Sequence, residues 1–394
     1  MRRRIRPLLC AALIAALVGP APLAGAADGG TALPGVPERL APDQPCTTLR
    51  GTVTAAAPWT RGVLGLDQVW RLSRGRGVTV AVVGTGVSGD PAVLRGRVRA
   101  LGPAGRDCVG RGTFQAGLVA GAALPGQGFS GVAPDALVLA VRGTGERGEP
   151  DPARLAAGVR EAAAAGADVI TVAAPLDGSD PRVRAAMDAA RAHDALVVVP
   201  AAADSVPQGT ATPQPAPAAP PEALAVLDTG PQGVRPDAAP PFRHADLSAP
   251  GGALMGPGPV GDGKWTASGA SFAAAFTAGA AALVRSYHPG LNAAEVRARL
   301  LRGAYPGDLP ALDPYGAVSG VAPGAAPAVA PPPPAPLRLP DPPDTAGARS
   351  TAYLVVAGAG GTIALVGLLA VVLPRGRARR WRPGRLDATG RPLD

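Results

Sequence analysis

Four short apolar runs rich in valine punctuate the chain: Val78–Val83, Leu137–Val141, Val169–Val172 and Leu196–Val199. A strand that faces water on one side alternates apolar and polar residues; a continuous apolar run implies cover on both faces. Leu155–Ala165, Pro181–His193, Phe272–Tyr287 and Ala293–Arg302 are Ala-rich and have helical periodicity. Strands buried on both sides and separated by helices predict a parallel central sheet with helices above and below, a three-layer α/β fold.

A second uncharged stretch has a different meaning. Thr351–Leu373 runs for 23 residues without a charge, roughly 34 Å as a helix, enough for one C-terminal transmembrane helix. Arg375–Arg385 follows directly, and such a cluster stays on the cytoplasmic side, making 374–394 a basic cytoplasmic tail. At the other end, Arg2–Arg6, the apolar Leu8–Val18 and Ala24-Gly25-Ala26 read as a signal peptide over 1–26. The residues between are expected to form a loop-like extension (27–58), the folded domain (59–321) and a Pro/Ala-rich linker (322–350). Residues 205–221, with six prolines, are expected to be a surface loop.

The net charge of +9 first points to nucleic acid, but its position excludes that partner. Residues 1–26 carry +4 and 374–394 carry +5, leaving 27 basic and 27 acidic residues balanced between them. The charge describes threading through a membrane, with 351–373 as the contact. If Cys10 leaves with the signal, Cys46 and Cys108 remain as an even pair, and outside the cytoplasm a disulfide is expected. His193, His244 and His288 are widely separated and show no metal-ligand spacing, so no metal or cofactor is expected.

Two readings compete for the end of the first strand. Gly84, Gly86 and Gly89 form G-x-G-x-x-G after Val80–Val83, the pattern of a dinucleotide-binding turn. The acid that should end a second strand about 20 residues on is represented only by Asp107, which follows Gly102–Arg106. The second reading joins this strand to later motifs. Val80–Val87 resembles the strand of subtilisin-like serine proteases in which the triad Asp precedes Thr-Gly. Asp107–Thr113, leading into Ala116–Gly121, resembles the Gly-His-Gly-Thr motif that opens a buried helix in that family, and Ser268–Phe276 resembles its nucleophile element. Gly131–Ala136 and Ser248–Gly251 resemble its connecting motifs, in the same order. The signal, the Asp107-Cys108 context, the linker and the span narrow the resemblance to the mycosins, membrane-anchored subtilisin-like proteases of type VII secretion (peptidase family S8). It covers residues 59 to 305 and implies a subtilisin-like fold and secretion-complex membrane components as partners.

The resemblance also exposes departures. Ser271 keeps the nucleophile position, but Gly84 stands where the Asp is expected and Arg111 where the His is expected. A guanidinium does not give up its proton at accessible pH and cannot serve as the base. Asp204, after Leu196–Val199, falls where an Asn would donate to the oxyanion, and a carboxylate would repel it. Two placements of Arg111 follow: an ion pair with Asp204 across Ser271, or extension into water. The expected function is that of a pseudoprotease, structural or regulatory in type VII secretion or holding a peptide in its cleft uncut. The alternatives are an active serine endopeptidase with a rearranged base and a dinucleotide-binding module.

Overall fold

A computed structural model describes residues 32–206, 210, 212–236, 239–321 and 346–378. The signal expected over 1–26, linker residues 322–345 and the tail beyond 378 lie outside the described residues.

The strands are β1 (Thr79–Gly84), β2 (Val98–Ala100), β3 (Leu137–Arg142), β4 (Val169–Val172), β5 (Leu196–Pro200), β6 (Leu224–Thr229), β7 (Leu247–Pro250), β8 (Leu254–Pro257) and β9 (Lys264–Ala267). The helices are α1 (Trp59–Val63), α2 (Leu66–Val69), α3 (Arg111–Ala120), α4 (Pro152–Ala164), α5 (Pro181–Ala192), α6 (Ala270–Tyr287), α7 (Ala293–Gly303), α8 (Pro314–Ser319) and α9 (Ala346–Ala378). Seven strands form one sheet in the order β2-β3-β1-β4-β5-β6-β7, all parallel, and β8–β9 is a separate antiparallel hairpin.

The valine runs are explained by side-chain alternation across this sheet. In β1, Val80 and Val82 join one apolar core with α3 and α6, while Ala81 and Val83 join a second core with α4 and α5. β5 divides in the same way, Leu196 and Val198 on one side and Val197 and Val199 on the other. Both faces are dry, so neither alternation position can be polar. Helix starts are written locally: Asp151, Asp180 and Asp313 each accept a hydrogen bond from a first-turn amide and precede a proline. Asn292 and Glu295 form a reciprocal capping box on α7.

α6 is buried from Ala270 through Val284. Its alanines and glycines permit close approach, and a Cβ on Gly279 would fall 2.7 Å from Val132 Cβ. Among its described residues the extension before residue 59 contains only isolated bridges, Gly35 to Thr266 and Thr52 to Lys264, and it is tied down by a Cys46–Cys108 disulfide.

Described by itself, α9 is longer than the expected span. It begins at Ala346, inside the segment read as linker, and continues past Pro374 to include Arg375 and Arg377. Its Arg349–Ala378 portion is long and apolar enough to cross a membrane, and its side chains are exposed.

Candidate functional site

Ligand sites of open parallel sheets lie beyond the carboxyl ends of the strands, and the sequence-predicted positions gather there. Gly84 closes β1, Arg111 opens α3, Asp204 follows β5 by four residues, and Ser271 lies in the first turn of α6. Arg111, Asp204 and Ser271 are in mutual contact. Asp204 Oδ1 accepts from the Ser271 amide at 2.7 Å and Oδ2 accepts from Ser271 Oγ at 2.6 Å. Arg111 Nη2 donates to Ser271 Oγ at 3.2 Å and forms an ion pair with Asp204 Oδ2.

The cluster is closed. Ser271 has no exposed surface and Arg111 is 6% exposed. Of the two placements for Arg111, the structure selects the ion pair and overturns extension into water; a guanidinium with a carboxylate in reach loses least by staying inside. Burial lowers the pKa of Arg111 to about 10, with Glu38 and Asp107 opposing the shift, and the side chain remains a cation at neutral pH. Its guanidinium also lies 4.7 Å from the centre of the Phe272 ring, whose negative face favours a cation. Asp204 meets the amino-terminal end of α6, where a carboxylate is favoured. A Cβ on Gly269 would fall 2.2 Å from Asp204 Oδ1, which requires glycine there.

Two further residues complete the site: Gln115, absent from the sequence reading of this site, and Asp107, which entered it only as the first residue of a motif. Gln115, one turn beyond Arg111 on α3, is 1% exposed and donates from Nε2 to the Ser271 carbonyl at 3.3 Å. Its Oε1 has no hydrogen-bond partner among the described residues and lies 3.6 Å from where a Cβ on Gly84 would be. The space beside Gly84 thus faces an amide and the Ala173 methyl. Asp107 caps α3, accepting from the amides of Gly110 and Thr113 and from the Thr113 hydroxyl. The signal for Gln115 was a polar residue four after Arg111 within the apolar segment Phe114–Ala120.

The glycines after β1 have a packing role. A Cβ on Gly86 would fall 2.2 Å from the Arg106 carbonyl, and no helix begins after Gly89 before β2. A dinucleotide turn needs a helix amino terminus at that place. The histidines are engaged or remote: His288 with the Val318 carbonyl, His244 with Asp246, and His193 exposed at the end of α5. The extension reaches the site's margin, where the Ser205 hydroxyl donates to Glu38 and Cys46 bonds Cys108, three residues before Arg111.

Residues 75–320 match Peptidase S8, the subtilase family. Mycosin-4 of Mycobacterium tuberculosis (strain ATCC 25618 / H37Rv) is 30% identical over an alignment covering 91% of each chain. The chain belongs to the subtilase family and is of the mycosin type. Among solved structures, MycP1 from the ESX-1 type VII secretion system superposes on this subtilase with a TM-score of 0.61 at 26% identity, covering 71% of this chain and 90% of that one. A chain of the periplasmic assembly from the ESX-5 inner membrane complex gives 0.60 at 25% identity, covering 77% and 94%.

Proposed function

We propose that this mycosin-type subtilase is non-catalytic and serves type VII secretion as a membrane-anchored structural or regulatory component. The observation that carries the reading is Arg111, a buried cation lying on the Ser271 hydroxyl and paired with Asp204. Serine attack requires a neutral base to take the hydroxyl proton, and in subtilisin loss of the histidine alone costs about a millionfold in turnover. Arg111 stands for that histidine and Gly84 for the aspartate that would orient it. Asp204, in place of the oxyanion asparagine, accepts the Ser271 amide, so a donor that could face an oxyanion is already taken.

Asp204 as a substitute base is the one alternative with an observation behind it, the 2.6 Å bond from Ser271 Oγ. A carboxylate neutralised by a guanidinium has little drive to remove a hydroxyl proton, and the fully buried Ser271 offers no approach to a scissile carbonyl.

In this reading the domain lies outside the cytoplasm, which the signal read at 1–26 and the Arg-rich tail after the span read at 351–373 support, and its partners are secretion-complex membrane components. The likeness to a chain of the ESX-5 periplasmic assembly supports that partnership. The test is fluorophosphonate labelling of the full chain in detergent micelles, beside Ser271→Ala. We expect no labelling of either; labelling that disappears in the variant overturns the non-catalytic reading. For the partner, affinity-tagged full-length protein should co-purify secretion-complex proteins from solubilised membranes, and its isolation alone would count against that role.

A further inference from the structure

A second group of arginines lies at the carboxyl edge of the sheet, outside the Ser271 cluster. Arg142, the last residue of β3, pairs in register with Gly84 of β1. With Pro103, Arg106, Glu146 and Arg154 it lines a cavity of about 300 Å³. Three cations and one carboxylate thus share one small space. We propose that this cavity binds the carboxylate of an acidic peptide segment, a recognition site independent of whether Ser271 reacts.

The cations are incompletely engaged. Arg142 holds the wall in place: Nη1 donates to the Thr85 carbonyl and Nη2 to the carbonyls of Pro103 and Arg106, at 3.0 and 2.9 Å. None of these acceptors carries a formal charge. Arg154 donates through Nε to Asp151 at 3.2 Å, and its Nη groups have no hydrogen-bond partner among the described residues. Arg106 reaches Glu146 at 3.4 Å with both side chains largely exposed, a contact that contributes little. Burial pulls the Arg142 pKa below its ordinary value; Asp107 and Glu146 oppose that, and Arg154 and Arg106 lower it further. The three guanidiniums therefore repel one another, and an anion between them would relieve the repulsion.

The mixture of charges decides the class of anion. Guanidinium forks match carboxylates and phosphates alike. Glu146 supplies only acceptor oxygens and repels any anion that comes without N–H donors of its own, as inorganic phosphate does. A peptide brings a carboxylate for the arginines together with backbone N–H donors for Glu146. The site also touches the Ser271 cluster indirectly, because Thr85, held by Arg142 through its carbonyl, accepts from the Gly112 amide next to Arg111. A ligand here would lie on the face where subtilases work, using chemistry that needs no nucleophile.

The carboxylate could come from an Asp or Glu side chain or from a chain terminus, and three probes separate the cases. Full-length protein in neutral detergent micelles is titrated calorimetrically with a tetrapeptide carrying two internal glutamates and blocked ends, a neutral tetrapeptide with a free C-terminal carboxylate, and inorganic phosphate. We expect saturable binding of the first, weakened about tenfold by Arg154→Gln and by Arg106→Gln and weakened further by salt. Both variants leave the carbonyl contacts of Arg142 in place, and unchanged circular dichroism would verify their fold. Binding of the free-terminus peptide alone, lost in the same variants, sustains the proposal with a chain end as the source. Binding of phosphate alone, peptide binding that ignores both variants, or no binding of either peptide overturns it.

Discussion

Two arginine sites share one edge of the sheet and treat their charges in opposite ways. At the first, Arg111 is 6% exposed and its charge is matched by one carboxylate, one hydroxyl and one aromatic face. At the second, Arg106, Arg142 and Arg154 line an open cavity with Glu146, and the side chain of Arg106 is 81% exposed. In the first arrangement the charge is already matched and buried. The second is electrostatically unfinished. A charged cluster at the carboxyl edge of the sheet is therefore not in itself a sign of activity; whether its charges are already satisfied distinguishes a closed centre from a receptive one.

The sharpest way to break this comparison is to open the closed centre. Asp204→Ala leaves the Arg111 cation buried without its carboxylate and removes the acceptor of two bonds from Ser271. The expected loss is about 3–5 kcal/mol, read by denaturant unfolding of the full chain in micelles. Replacing both partners, Arg111→Met with Asp204→Leu, should recover most of it, since two apolar side chains leave no unpaired charge. A loss for Asp204→Ala below 1 kcal/mol would mean that the pair is not closed as described.

Next in size is the tie that holds the approach to Arg111. Cys46 and Cys108 close a separation of 62 residues, and the loop entropy released by Cys46→Ser with Cys108→Ser corresponds to about 2–4 kcal/mol. Thr47 should loosen with it, because its amide and hydroxyl bond the carbonyls of Cys108 and Val109. Amide hydrogen exchange at Cys108–Thr113 in the variant would detect this, and unchanged protection there would separate the disulfide from the centre.

The two sites were unequally legible in the sequence. β1, β3, β4 and β5 were visible because burial on both faces removes polar residues, and their ends agree with the runs to within one residue. β2, with Arg99 at its centre, and β7, which contains Ser248 and ends at Pro250, carry no such run. Both are short strands at the sheet's edges. Ser271, Arg111 and Gly84 were singled out from motifs, and the contact of Arg111 with Asp204 was one of two foreseen placements. Gln115 was missed because its role depends on which face of α3 meets α6. The arginine cavity was invisible because its residues spread from 103 to 154 with no local pattern, and the pairing of β3 with β2 is what brings the segments after those two strands together.

Ser271→Ala comes third, at about 1 kcal/mol. The variant loses the hydroxyl bonds to Asp204 and from Arg111 but keeps the ion pair and the amide bond. If the hydroxyl serves structure alone, the change should be felt in unfolding and nowhere else. A defect in secretion by a well-folded Ser271→Ala protein would argue for a reaction at that oxygen.

The smallest effect sharpens the contrast most. Arg106 contributes one long contact at the surface, so Arg106→Gln should alter stability by less than about 1 kcal/mol. Charge removed from the closed centre should appear as lost stability, whereas charge removed from the cavity should appear as lost ligand. Measuring unfolding and acidic-peptide binding on Asp204→Ala and Arg106→Gln side by side makes the distinction quantitative. If Arg106→Gln destabilises the fold as strongly as Asp204→Ala, the cavity's charges are part of the scaffold, and the difference drawn between the two sites does not hold.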